Sequence, residues 1–128
     1  MKTLKLIIVA ALIGLTLVSC KNFREYKRRI AAVEIENIDL QKVADGEYIG
    51  EFDAVMVKAK VKVIVKDHKI VNIELLRHDN GKGKLAEVIP GNVVAAQNLQ
   101  VDTVSKATAS SKVILEAIEQ ALKKGITL

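Results

Sequence analysis

The chain has 128 residues, enough for one small domain and no more. It is 50% hydrophobic and 27% charged, with a net charge of +5, two Tyr, two Phe and no Trp, so little aromatic surface exists for stacking on bases. Cys20 is its single cysteine, which excludes an intrachain disulfide framework.

The positive charge is gathered at the N-terminal end. Residues 1–20 contain Lys2 and Lys5 and no acid; Lys21, Arg24, Lys27, Arg28 and Arg29 then stand against Glu25 alone, and from Ile30 onward bases and acids nearly balance. No basic nucleic-acid face is therefore expected. The uncharged run 6–18 has the length of a signal-peptide core and falls short of the roughly 20 residues a spanning helix needs. It ends in Leu17-Val18-Ser19-Cys20. This resembles the lipobox of bacterial lipoproteins, in which a small residue precedes the cysteine whose thiol carries the lipid. The alternative is an uncleaved anchor with an incidental cysteine. More basic residues follow the apolar run than precede it, which the positive-inside rule disfavours for an anchor with an external domain. A lipid on Cys20 beside a basic stretch supplies the two signals of stable attachment to a membrane, here on its extracytoplasmic side. Residues 1–20 are expected to be a leader, 21–44 a basic, helical or loosely ordered spacer with little chemistry, and 45–124 the domain.

Within the domain, Asp45-Gly46 marks a turn before a strand over residues 47–52. Val55, Val57, Ala59, Val61, Val63 and Val65 then alternate with Lys58, Lys60, Lys62 and Lys66, a period of two that predicts a strand with a wet lysine face. Asp67-His68-Lys69 is a tight turn, and residues 70–77 return as a strand with Val71, Ile73 and Leu75 on one face. Leu85, Val88, Ile89, Val93 and Ala96 recur at helical spacing around Pro90-Gly91, which predicts two short helices or one broken helix over 84–97. Val113, Ile114, Ala117, Ile118, Ala121 and Leu122 form the apolar stripe of a last helix, with Lys112 and Glu116, and Glu119 and Lys123, spaced as ion pairs and Gly125 as its stop. Ser110 or Ser111 is its expected N-cap. Strands followed by helices predict an α+β fold, an antiparallel sheet with a hairpin and helices packed on one face.

Residues 101–111, VDTVSKATASS, place Thr103, Ser105, Thr108, Ser110 and Ser111 and one acid ahead of that helix. Two readings stand: an ordinary capping loop, or an anion site where helix N–H groups and the dipole favour a phosphate. The run Asp102-Thr103-Val104-Ser105-Lys106-Ala107-Thr108, with Ser110-Ser111-Lys112 and the Ile114/Ala117/Ile118/Leu122 stripe, is similar to the FMN-binding domain family. That family includes the small flavin-carrying subunits of sodium-pumping quinone reductase and of the Rnf complex. The similarity extends through Asp45-Gly46-Glu47-Tyr48-Ile49-Gly50, the hairpin, Asn80-Gly81-Lys82-Gly83 and Ala86-Glu87-Val88-Ile89, covering residues 45–124.

The resemblance implies FMN as cofactor, joined to Thr108 through a phosphodiester by a dedicated FAD-dependent flavin transferase. Asp102 and Ser105 belong to the sequence that the transferase reads, and Lys106, Ala107, Ser110 and Ser111 surround the attachment point. Lys106 stands where the family usually has glycine. Two consequences are open: a cost in reaching positive φ that weakens loading, or an ammonium beside the phosphate that offsets its charge. The implied function is a membrane-anchored electron carrier, not a stand-alone enzyme, whose redox partner is a quinone oxidoreductase or a larger reductase complex. A flavin-free binding module of the same fold is the alternative. His68 and His78 lack metal-ligand spacing and read as surface-turn histidines, so no metal site is expected. His78 is also a secondary candidate for the flavin pocket because it abuts the loop 80–84. Tyr48 and Phe52 are strand aromatics, either core or flavin wall.

Overall fold

The lysine-valine alternation forms β2 (Lys58–Lys66), with Ala59, Val61, Val63 and Val65 buried and Lys58, Lys60 and Lys62 half-buried on the opposite face. In this computed structural model, which describes residues 2–79 and 83–127, β2 is the centre of a three-stranded antiparallel sheet. Its neighbours are β1 (Gly46–Asp53) and β3 (Lys69–Asp79). The turn between β2 and β3 has both Asp67 (φ 52°) and His68 (φ 59°) in the left-handed region, the conformation that matches strand twist in a two-residue hairpin. Asp45 Oδ1 accepts the Asp67 N–H at 2.8 Å.

Val55 departs from the expected strand. It lies before β2 at φ 71°, and Asp53 Oδ1 accepts its N–H at 2.7 Å. In β3 the expected inward trio is also corrected. The register passes from Ile64↔Asn72 to Val65↔Ile70 and from Lys60↔Arg77 to Val61↔Leu75, so Val71 and Leu76 are extra residues at two bulges. Each bulge flips the parity of the residues beyond it. Ile70 and Ile73 are buried whereas Val71 is exposed, and His78, opposite the inward Ala59, turns its side chain inside.

Helices cover one face. α1 (Lys2–Ala32) is a single 31-residue helix, α2 (Ile89–Ala96) packs on β3, and α3 (Thr108–Lys124) lies across β1 and β2. A 3-10 turn, Lys84–Val88, leads into α2, so Pro90 sits in the first turn of a helix rather than breaking one. The whole stripe from Val113 to Leu122 is buried, as expected. Gly50 sets the closeness of the sheet to α3. A Cβ there would run into Ala117 O and would stand 2.5 Å from Ala121 N. Gln97, the left-handed C-cap of α2, gives its side-chain amide to the edge of β3, accepting Ile70 N–H at 2.9 Å and donating to Ile70 O at 2.7 Å. The C-terminal residues close the domain by pairing with the stretch before β1, Val43 bridging to Ile126.

The outer face of the sheet is charge-balanced. Lys62 pairs with Glu74 across the strands at 2.9 Å, Lys58 lies 3.5 Å from Asp53, and Arg77 lies 2.7 Å from Asp79. Two of the row, Lys58 and Lys62, are thus matched by carboxylates.

Candidate functional site

The loop ahead of α3 is built by one side chain. Ser111, wholly buried, accepts the Val104 N–H at 2.9 Å and donates to Ala107 O at 2.8 Å. These bonds fold residues 104–107 into a turn closed by Ala107 N–H on Val104 O at 2.9 Å. Lys106 takes the left-handed conformation at φ 68°, a region that favours glycine. The chain therefore follows a glycine-like path with a lysine in place.

The N-cap of α3 is Ala107, which differs from the expected Ser110 or Ser111. The helix starts earlier because Ser111 is spent on the loop and Ala107 offers no side chain to mark the start. No side chain caps this end. The N–H groups of Thr108, Ala109 and Ser110 have no acceptor within the helix, since the first bond of the helix runs from Ser111 N–H to Ala107 O at 2.9 Å.

This uncapped end opens on a cleft of about 160 Å³ lined by Tyr26, Val57, Gly83, Lys106, Ala107, Thr108, Ala109 and Ser110. No carboxylate is among those residues, and Lys106 contributes an ammonium. The cleft thus combines free N–H donors, the positive end of a helix dipole and a cation, which is the chemistry of a phosphate-sized anion site. The expected residues divide cleanly: Lys106, Ala107, Thr108 and Ser110 line the cleft. Asp102 and Ser105 are exposed on the preceding loop outside it, and Ser111 is not among the lining residues. Thr108 is exposed.

Tyr26 was not anticipated. It belongs to the basic stretch of α1, where little chemistry was expected. Its signal was its spacing with Ile30 one turn later, since both are partly buried against the core on one face of the helix. The two strand aromatics lie elsewhere. Tyr48 donates from its hydroxyl to Ala44 O at 2.6 Å and lies against Gly125, at the opposite end of α3 from Thr108. Phe52 lines a separate cavity of about 480 Å³ with Arg28, Arg29, Glu116, Glu119 and Lys123. That cavity holds none of the residues 102–111. There the buried Glu119 is met by Lys123 at 2.6 Å and by the Glu36 N–H at 3.2 Å, and burial raises the Glu116 pKa.

His68 occupies the exposed turn, as expected, with Nδ1 3.2 Å from Leu40 O. His78 is corrected. It is in β3, its side chain is 2% exposed, and Nδ1 lies 3.8 Å from Glu87 Oε1. Burial lowers its pKa, with Glu87 pulling the other way. His78 is not among the residues lining the cleft. Asn80, Gly81 and Lys82 of the neighbouring loop lie outside the described residues.

By length and composition α1 is long and apolar enough to cross a membrane, and its apolar window is wholly exposed. It is compatible with a signal peptide or a membrane anchor, and Cys20 is exposed on it.

The family model described as FMN-binding domain matches residues 56–123, from just before β2 to the last turn of α3. The match takes in every residue lining the cleft except Tyr26. No curated protein matches the chain. The residues at the start of α3 fit the phosphate of such a cofactor: uncapped helix N–H groups and a lysine line the cleft, and no carboxylate does.

Proposed function

Because the chain belongs to the FMN-binding domain family, and its cofactor is accordingly FMN, we propose that it is a membrane-attached, extracytoplasmic electron carrier whose flavin is joined covalently to Thr108. When bound, FMN supplies one- and two-electron redox chemistry, and the protein supplies position and local field. The observation that carries this reading is the exposed Thr108 in the uncapped first turn of α3, beside Lys106 in a glycine-like turn.

In the attachment step the Thr108 Oγ attacks the flavin-side phosphorus of FAD, held by a flavin transferase. The new Thr–O–P bond replaces the phosphoanhydride bond, AMP leaves, and the hydroxyl proton is lost to solvent. The N–H groups of Thr108, Ala109 and Ser110 and the Lys106 ammonium would hold the resulting phosphodiester. Asp102 and Ser105, exposed on the loop, are placed for the transferase to read. Residues 1–20 act as the leader, Cys20 takes the lipid, 21–44 form the spacer, and 45–124 the flavin domain. The redox partner is a membrane quinone oxidoreductase or a reductase complex.

The test is expression beside a competent flavin transferase, followed by a denaturing gel and intact mass. Flavin fluorescence should travel with the denatured chain, add the mass of one FMN, and vanish in Thr108→Ala. Colourless protein of unmodified mass at Thr108 overturns the proposal and favours a flavin-free binding module. Cys20→Ser should remove the acyl mass while the apolar leader stays on the chain.

A further inference from the structure

We propose that Tyr26, on α1 and outside the family-matched residues, is the aromatic wall of the FMN site and positions the flavin ring. This rests on the attachment at Thr108 proposed above. Among the residues lining the cleft, Tyr26 is the sole ring; the others are Val57, Gly83 and the run 106–110. The cleft, about 160 Å³, is smaller than the roughly 300 to 1,000 Å³ of sites that enclose a drug-sized ligand. It takes the phosphate end and leaves a tricyclic ring to find its contact at the edge of the cleft. A planar ring of that kind gains most from an offset or tilted aromatic neighbour.

Tyr26 is held in place for the role. It packs partly buried against the core, and the Phe23 ring lies 6.3 Å away at 35°. One turn further on, Arg29 donates to Asp53 O at 2.7 Å and pairs with Glu25 at 2.9 Å, pinning this part of α1 to β1. The Phe23 ring, itself exposed, carries the Lys27 ammonium 4.8 Å from its centroid. A basic helix outside the matched region therefore completes a site whose remaining parts come from within it.

The experiment uses the full chain loaded by a flavin transferase and compares wild type with Tyr26→Leu and Tyr26→Trp. Bound flavin per chain is read from visible absorbance after denaturation, and ring contact from native fluorescence yield, lifetime and reduction potential. Brightness is compared per bound flavin. Tyr26→Leu should be brighter by about two- to tenfold, the change in docked ring that one aromatic contact sets, with a longer lifetime and a displaced potential. Tyr26→Trp should stay quenched. Wild type should itself brighten on denaturation, a comparison that needs no variant to fold. Fully loaded wild type and Tyr26→Leu of equal brightness, or wild type that does not brighten when unfolded, overturns this inference alone. Wild type without flavin overturns the attachment, and this inference with it.

Discussion

Ser111 reaches back to the Val104 N–H at 2.9 Å while donating to Ala107 O at 2.8 Å, so one buried hydroxyl ties the motif loop to the first turn of α3. Ser111→Ala leaves a half-buried N–H without its acceptor. The expected cost is about 1 to 3 kcal/mol in urea unfolding, with faster amide exchange over residues 102–107. Flavin loading should fall in the same variant, because Thr108 is then presented from a loosened turn. Unchanged exchange in that loop refutes this account of Ser111.

Lys106 holds φ 68° without the freedom of glycine. Lys106→Gly should raise stability by about 1 kcal/mol by relieving the left-handed strain. Lys106→Glu replaces a cation at the cleft by an anion and should lower flavin loading while leaving the fold intact. Chemical unfolding checks the first expectation and flavin per chain the second. A glycine variant less stable than wild type contradicts the strain argument.

His78 couples stability to acid. Burial places its folded pKa below the usual 6.5, so between that value and its lowered one the unfolded chain binds more protons than the folded chain. Stability from this group is complete above about pH 6.5 and falls as the pH drops toward the folded value, at no more than about 1.4 kcal/mol per pH unit. His78→Gln should flatten the stability profile measured by urea unfolding between about pH 7 and pH 5. An unchanged profile assigns the acid sensitivity to other groups.

The sheet and last helix were legible because their signals are local. β2 alternates strictly, and the buried stripe of α3 repeats at helical spacing through Leu122. β3 was legible as a strand but not in its facing, since nothing local distinguishes the extra residues Val71 and Leu76 from paired ones. That is also why His78 reads as a surface residue in sequence and has a buried side chain in the fold. The motif loop was legible by family resemblance, its left-handed turn by the glycine it replaces. The start of α3 was displaced because Ala107 gives no capping signal. Tyr26 escaped because its one local signal, the spacing with Ile30, says nothing of the residues 106–110 that tertiary packing brings to it.

The helix α1 runs without interruption past Cys20 to Ala32, and Arg29 fastens it to the body at Asp53. At 1.5 Å of rise per residue, Cys20 and Tyr26 are about 9 Å apart along its axis. Whatever grips the chain at Cys20 is coupled to the cleft through a stiff post instead of a leash. The domain has little room to swing about that point, so the cleft keeps a nearly fixed height and orientation relative to it.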